Sequence, residues 1–226
     1  MSQSSTTHHS PLTTHQEFAD CREFLYETLS NAVRLYALVD SARNPALAYS
    51  AWFDHGFETW SLFGENVDPS MSSVAPHLVS IGSGKKGREF LDVWADNLWT
   101  NAGILLATDA DHRTVWEHLA ELFVVGDPDG RLMYFRFYDP RILRALLPTL
   151  RGSQISEVFG PVREFVVEET AHGALGRWRA GRGEVECDRW RLAREEPAAA
   201  ELPIDGPHFA GTHAAPSRQP TRSRRV

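Results

Sequence analysis

Cysteine is almost absent: Cys21 and Cys187 are the two thiols in 226 residues, far apart and in no Cys-x-x-Cys or Cys/His pattern. Neither a disulfide framework nor a zinc site is expected from them. Long apolar runs are missing too, and no stretch approaches the roughly 20 residues that a membrane helix needs. The opening segment, Met1 to Gln16, has neither a basic start nor an apolar core, so a secretory signal is not expected. Net positive charge is lacking as well, the formal total being −7. Residues 197–226 carry Arg218, Arg222, Arg224 and Arg225 against Glu201 and Asp205, a net of +2, which leaves −9 on residues 1–196. A body this acidic repels phosphate backbones, and the tail arginines offer only weak, salt-sensitive attraction. The expectation is a soluble, cytoplasmic protein with no nucleic-acid and no membrane partner.

Signatures of chemistry are equally scarce. A phosphate-binding P-loop needs G-x-x-x-x-G-K-[ST], but Gly84-Lys85 is followed by Lys86 and preceded at the first glycine position by Val79. Ser83 and Lys86 fit S-x-x-K, yet Gly82 and Gly84 flank the serine and the companion motifs are missing. His112 and His118 stand six apart, not at the i, i+4 spacing that places two ligands on one helix face, and His8 and His9 lie in a polar stretch. The carboxylates Asp109, Asp111, Asp127 and Asp129 sit where turns and helix caps want them. Glu168-Glu169 reads as a solvated strand end, and no G-x-S-x-G elbow exists. No catalytic, metal or cofactor residue is therefore assigned, and the chain is not expected to be an enzyme. The alternative is a small-molecule enzyme whose site is assembled at the strand ends of an α/β sheet.

What the chain does have is aromatic mass, with seven Trp and twelve Phe. Buried, such rings support a substantial core; exposed, they make interface anchors. Helical spacing of Phe18, Phe24, Leu25 and Leu29 predicts a first helix over 16–30. Residues 34–40 read as a buried strand. Asn44-Pro45 starts a helix running to about Asp54, with Gly56 as its cap. Short strands follow at 59–63 and 74–81, Pro76 pushing the second toward an edge. After the loop 82–87 come a helix over 88–100, a central strand over 102–107, and a helix capped by Asp109 or Asp111. Residues 123–125 and 132–138 form a hairpin around Pro128 and Gly130. Asp139-Pro140 launches a helix over 140–149, then a short helix over 153–159 and a strand over 162–167. A late hairpin, 174–179 with 184–192, turns at Gly181-Arg182-Gly183.

The fold class is α/β, with α+β possible: a mixed β-sheet flanked by helices, with a late β-hairpin and disordered termini. The expected organisation is a disordered segment 1–16, a main domain 17–168, a C-terminal hairpin extension 169–194 and a disordered tail 195–226.

One run is more specific than its parts: Leu132-Met133-Tyr134-Phe135-Arg136-Phe137-Tyr138-Asp139-Pro140-Arg141-Ile142-Leu143, continuing to Pro148. With Phe159-Gly160-Pro161 after it and Leu35 to Ala42 before it, the chain resembles the type VI secretion adaptor, or effector-chaperone (Tap/Tec-type), family. That family was first catalogued as a domain of unknown function. Ser61-Leu62-Phe63, Ala75 to Val79 and Ala102 to Leu106 match in the same order, so the likeness covers residues 34–168. The resemblance implies a non-enzymatic adaptor that binds a toxic effector and helps mount it on the VgrG spike, without itself being exported.

The physical reading of that run stands beside the resemblance. Strand alternation would put Phe135 and Phe137 opposite Arg136 and Tyr138. Asp139 suits an N-cap, while Arg136 and Arg141 need partners; they either pair with Asp40 across strands or present a binding surface. Arg136, Tyr138 and Arg141 are candidate protein-binding residues. Trp178 and Trp190 on the late hairpin are candidate anchors or, alternatively, a cover for the sheet. A partner segment would be held by sheet-edge backbone pairing and buried rings.

Overall fold

The run Leu35-Tyr36-Ala37-Leu38-Val39 has no polar face, and the fold buries both of its sides. In the computed structural model, which describes residues 16–18, 21–64, 68–126, 129–169 and 173–192, this run is the inner strand β2 (Arg34–Asp40). It lies between β4 (Pro76–Ile81) and β5 (Gly103–Thr108), antiparallel to both, with Leu38 opposite Leu78 on one side and Ile104 on the other. β3 (Thr59–Ser61) borders β4 and forms one edge. Beyond β5 come β8 (Val162–Glu168), β9 (Ala174–Ala180), β10 (Val185–Leu192) and, at the far edge, β1 (Gln16–Phe18). Every pairing is antiparallel except β1 on β10, so the eight-stranded sheet is mixed. The late hairpin, β9 with β10, continues this sheet through β8.

Period-two alternation divides the apolar side chains between two helical layers. Tyr36, Leu38, Leu78, Ile104 and Leu106 pack in one cluster with α5 (His112–Phe123), α6 (Pro140–Leu146) and α7 (Ser153–Phe159). Leu35, Ala37, Val39, Val79 and Leu105 belong to the other, with α1 (Cys21–Asn31) and α4 (Gly84–Asp96). Some of the helices start at a residue whose side chain caps them. Asp111, not Asp109, caps α5 by accepting the Thr114 amide at 2.8 Å. Asn44 accepts the Leu47 amide at 3.0 Å to open α2 (Pro45–Tyr49). The short helix α3 (Pro69–Ser72) follows β3. Among the described residues no helix is long and apolar enough to cross a membrane.

Several local expectations need correction. The predicted helix over 16–30 divides into strand β1 and helix α1. α2 passes into a π-helical turn, Ser50–Asp54. α4 begins inside the glycine loop, at Gly84, because Gly87 has no Cβ to strike the Gly82 carbonyl. Pro76 does not make β4 an edge: it is the strand's first residue, where a missing amide costs little, and its carbonyl still accepts the Leu62 amide at 2.9 Å. The first hairpin is shorter than alternation suggests. β6 (Val124–Gly126) pairs with β7 (Leu132–Tyr134) as a separate two-stranded sheet, and Phe135–Tyr138 is not strand. Phe137 and Tyr138 are therefore both buried instead of alternating. Glu168 is buried, not solvated. The expectations for residues 1–15, 195–226 and the turn at Asp127-Pro128 lie outside the described residues.

Candidate functional site

Two aspartate–arginine pairs meet beyond the end of β2. Asp139 caps α6, its carboxylate accepting the Arg141 amide at 3.0 Å, and the same carboxylate takes the Arg141 guanidinium through two bonds of 2.9 and 2.6 Å. Arg136 donates to Asp40 at 3.0 Å and to the Tyr138 hydroxyl at 3.2 Å, its guanidinium 5.5 Å from that ring's centre. Both carboxylate side chains are 3% exposed and both arginine side chains 48% exposed. Burial alone would raise the Asp139 carboxyl, but the hydrogen bonds and charge of Arg141 outweigh it and hold the group below its ordinary value. Burial raises the Tyr138 hydroxyl, against the pull of Arg136. Of the two arginines expected to pair with Asp40, Arg136 does so, while Arg141 pairs with Asp139 instead; both side chains keep about half their surface exposed. The cluster is electrically self-satisfied and pins residues 135–141 to the sheet.

Trp178 and Trp190 lie elsewhere. They are 3% and 5% exposed. Trp190 packs 4.7 Å from Phe24, with the Arg177 guanidinium 4.7 Å over its ring. Trp178 belongs to the cluster under α7. Both rings cover the sheet, and a surface-anchor role would require them to leave the core. Burial pushes the Cys187 thiol up to about 12, so it is not a reactive thiolate. Burial raises the Glu168 carboxyl although it accepts the Trp99 amide. The cavity beside it has a volume of about 10 Å³, the space of a single water.

The largest concave feature of those described here borders the edge strand β3. A groove of about 340 Å³ is lined by Trp52, Trp60 and Trp116 with His77, Ser61 and Ser72. The π-helical turn brings Trp52 edge-on to His77, ring centres 4.6 Å apart. Trp60 stacks on His112 at 4.5 Å and meets Trp116 edge-on at 5.7 Å. A second groove of about 270 Å³ adjoins it, walled by Leu62, Phe63, Met71, Phe123, Val124 and Tyr134. Their walls are consecutive along the chain, since Leu62 and Phe63 follow Ser61 and Met71 precedes Ser72. Tyr134 in the second groove's wall is 69% exposed, Met71 50%, and Leu132 on the same hairpin strand 77%. His77 itself is 2% exposed and hydrogen-bonded to Ser41 at 2.8 Å. Burial brings its pKa down to about 4, a bond to the Ala75 backbone pulling weakly the other way. Sequence reasoning missed this surface. The available signal was a tryptophan in a very short strand, Thr59-Trp60-Ser61, together with a hairpin strand of three consecutive large side chains, Leu132-Met133-Tyr134.

Backbone pairing at this edge is obstructed. The Ser61 carbonyl already accepts the Trp116 indole at 2.8 Å and the Gly64 amide at 3.2 Å, and the Ser61 hydroxyl takes the Phe63 amide at 3.1 Å. The Ser61 carbonyl is thus already used, which leaves less backbone at this edge for an added strand to pair with.

Fold and surface together define a helix-flanked mixed-sheet domain with an apolar, aromatic edge. Residues 35–157 match the family described as Domain of unknown function (DUF4123), and the chain belongs to that family. The matched stretch runs from β2 into α7, so it contains Asp40, the Arg136–Arg141 cluster and both grooves, while Trp178 and Trp190 fall outside it. No curated protein and no solved structure matches the chain.

Proposed function

We propose that this protein is a non-enzymatic adaptor that grips another polypeptide, and specifically a chaperone that binds a type VI secretion effector and helps load it onto the VgrG spike. The observation that carries the reading is the apolar surface beside β3 and on the β6–β7 hairpin, where Met71, Leu132, Met133 and Tyr134 are half or more exposed. Soluble monomers rarely leave such side chains contiguous unless something covers them. Rings in a groove are effective anchors because they bury much area with few torsions to freeze. The resemblance of Phe135 to Arg141 to the secretion adaptors supports the particular system. Coexpression with the toxin encoded beside this gene should give a complex that survives affinity and size-exclusion steps. Recovery of the protein without any neighbouring effector or spike protein refutes the proposal.

One contact favours a second reading, an enzyme: Ser41 lies 2.8 Å from a neutral His77. Both residues are 2% exposed, and the ring's other hydrogen bond is to the Ala75 backbone instead of a carboxylate, which is a poor setting for an activated serine. Labelling of Ser41 by a fluorophosphonate probe would revive that reading.

A further inference from the structure

The grooves beside β3 also carry information about what fills them. On the elements that line them, residues 49–64, 68–74, 112–126 and 129–134, the described carboxylates are Asp54, Glu58, Asp68, Glu117, Glu121 and Asp129. The described lysines and arginines there are Arg113 and Arg131. Arg113 pairs with Glu117 at 2.9 Å, and Arg131 lies 3.9 Å from Asp129. Glu58 lies 3.2 Å from the His112 ring, and Lys86 reaches these segments from outside to donate to the His55 carbonyl at 3.3 Å. Asp54, Glu58, Asp68 and Glu121 are exposed, so the segments stay acidic on balance. Asp68 is held ionised, its pKa lowered by the Ser70 hydroxyl and amide. Half-buried Trp60 and Trp116 add ring faces that attract cations. An acidic partner would meet predominantly like charge on these segments, and an uncharged apolar one would bring no counter-charge to Asp54, Asp68 and Glu121.

We infer that the paired grooves along β3 receive a segment of the partner in which large apolar side chains alternate or cluster with lysine or arginine. The apolar groups fill the space between Phe63, Met71 and Tyr134, and the cations meet Glu58, Asp54 and the tryptophan faces. This deepens the adaptor reading and rests on it for the biological occupant, but the chemistry of the groove can be tested without any effector.

The probe is a displayed library of random peptides of about 12 residues, panned on the full chain. A selected peptide is then titrated against wild type, M71S/Y134S, D54N/E58Q and the remote surface control V33S. Selected sequences should combine large apolar residues with Lys or Arg. M71S/Y134S should weaken binding at least about tenfold, as loss of anchors does. D54N/E58Q should weaken it about threefold to tenfold and flatten its salt dependence, while V33S stays within about twofold. All substituted positions are exposed, but Y134S removes the stack on Phe123, so each variant is first shown to be folded at the assay temperature by its unfolding midpoint. Failure to select any peptide, selection of acidic or wholly polar sequences, or affinity that survives both double variants overturns the inference. If groove-binding peptides emerge but no neighbouring effector or spike protein copurifies, the adaptor proposal alone fails. If an effector copurifies while the grooves select nothing basic and apolar, the inference alone fails.

Discussion

Replacing His77 by glutamine isolates one buried titration. The folded ring sits at a pKa of about 4, against an ordinary 6.5, because burial penalises the charged form. That difference is worth about 3 kcal/mol. Its sign follows from proton counting: between pH 6.5 and 4 the unfolded chain holds a proton on this ring and the folded chain does not. Stability is thus complete above about pH 6.5, is lost as pH falls through the window, and levels off below about pH 4. Glu168 works in the opposite sense. Its carboxyl is raised above 4.5, so it contributes stability that declines as pH rises past 4.5, and a simple wild-type profile mixes the two. The difference between wild type and H77Q removes that mixture, since Glu168 is common to both. Glutamine keeps an amide that can bond Ser41 but does not titrate. Urea unfolding at pH 7, 6, 5 and 4 should show the wild-type advantage shrinking by about 3 kcal/mol, or about 1.5 M in midpoint for a slope near 2 kcal/mol/M. A difference that stays flat within about 1 kcal/mol, or a proton titration of the His77 ring near 6.5, refutes the reasoning.

Two further substitutions test the fold's close contacts. Gly87→Ala inside α4 would normally gain about 1 kcal/mol of helix propensity. Here the new Cβ would lie 1.9 Å from the Gly82 carbonyl and 3.2 Å from Leu29, so the sign should reverse to a net loss of about 2 kcal/mol in urea unfolding. Asp139→Asn keeps an N-cap and loses the guanidinium pair, so it should cost about 1 kcal/mol, discounted for the half-exposed Arg141. Asp139→Ala loses both and should cost about 2 kcal/mol by the same measurement; equal costs would mean that the cap contributes nothing.

Much of the scaffold was legible because short-range rules decide it. β2 was readable from five apolar residues in a row, α5 from an aspartate ahead of a periodic apolar face, and α6 from Asp139-Pro140. Reading failed where distant contacts decide. Alternation extended β7 through Tyr138, but the Arg136–Asp40 pair joins residues 96 positions apart and turns the chain inward after Tyr134. Glu168-Glu169 looked like a solvated end, yet a turn with Trp99 and Asn101 in positive-φ conformations (69° and 56°) brings the Trp99 amide onto the Glu168 carboxylate. Trp178 and Trp190 could be assigned to a strand but not to core or surface, since that depends on Phe24 and α7 lying over them. The grooves escaped for the same reason: Trp52, Trp60 and Trp116 are scattered along 65 positions and meet only in the folded chain.

The two features that stand out, one in sequence and one in structure, are mechanically connected. β7 runs directly into the Phe135–Arg141 segment. Phe135 is tied to the end of α5 by its amide, 2.9 Å from the Phe123 carbonyl, and Tyr134 stacks on Phe123 at 4.9 Å. Two residues later Phe137 is buried in the core, with the Asp40–Arg136 and Asp139–Arg141 pairs formed by the residues on either side of it. The chain therefore enters the core at a fixed point, and the hairpin before it is held with Leu132 and Tyr134 turned to solvent. Buried ion pairs add little net stability over apolar substitutes but set geometry well, because a carboxylate left unpaired inside the fold is costly. The arginine–aspartate cluster thus acts as the mount for the apolar hairpin, and weakening it should disturb the groove's shape before it removes any contact a partner makes directly.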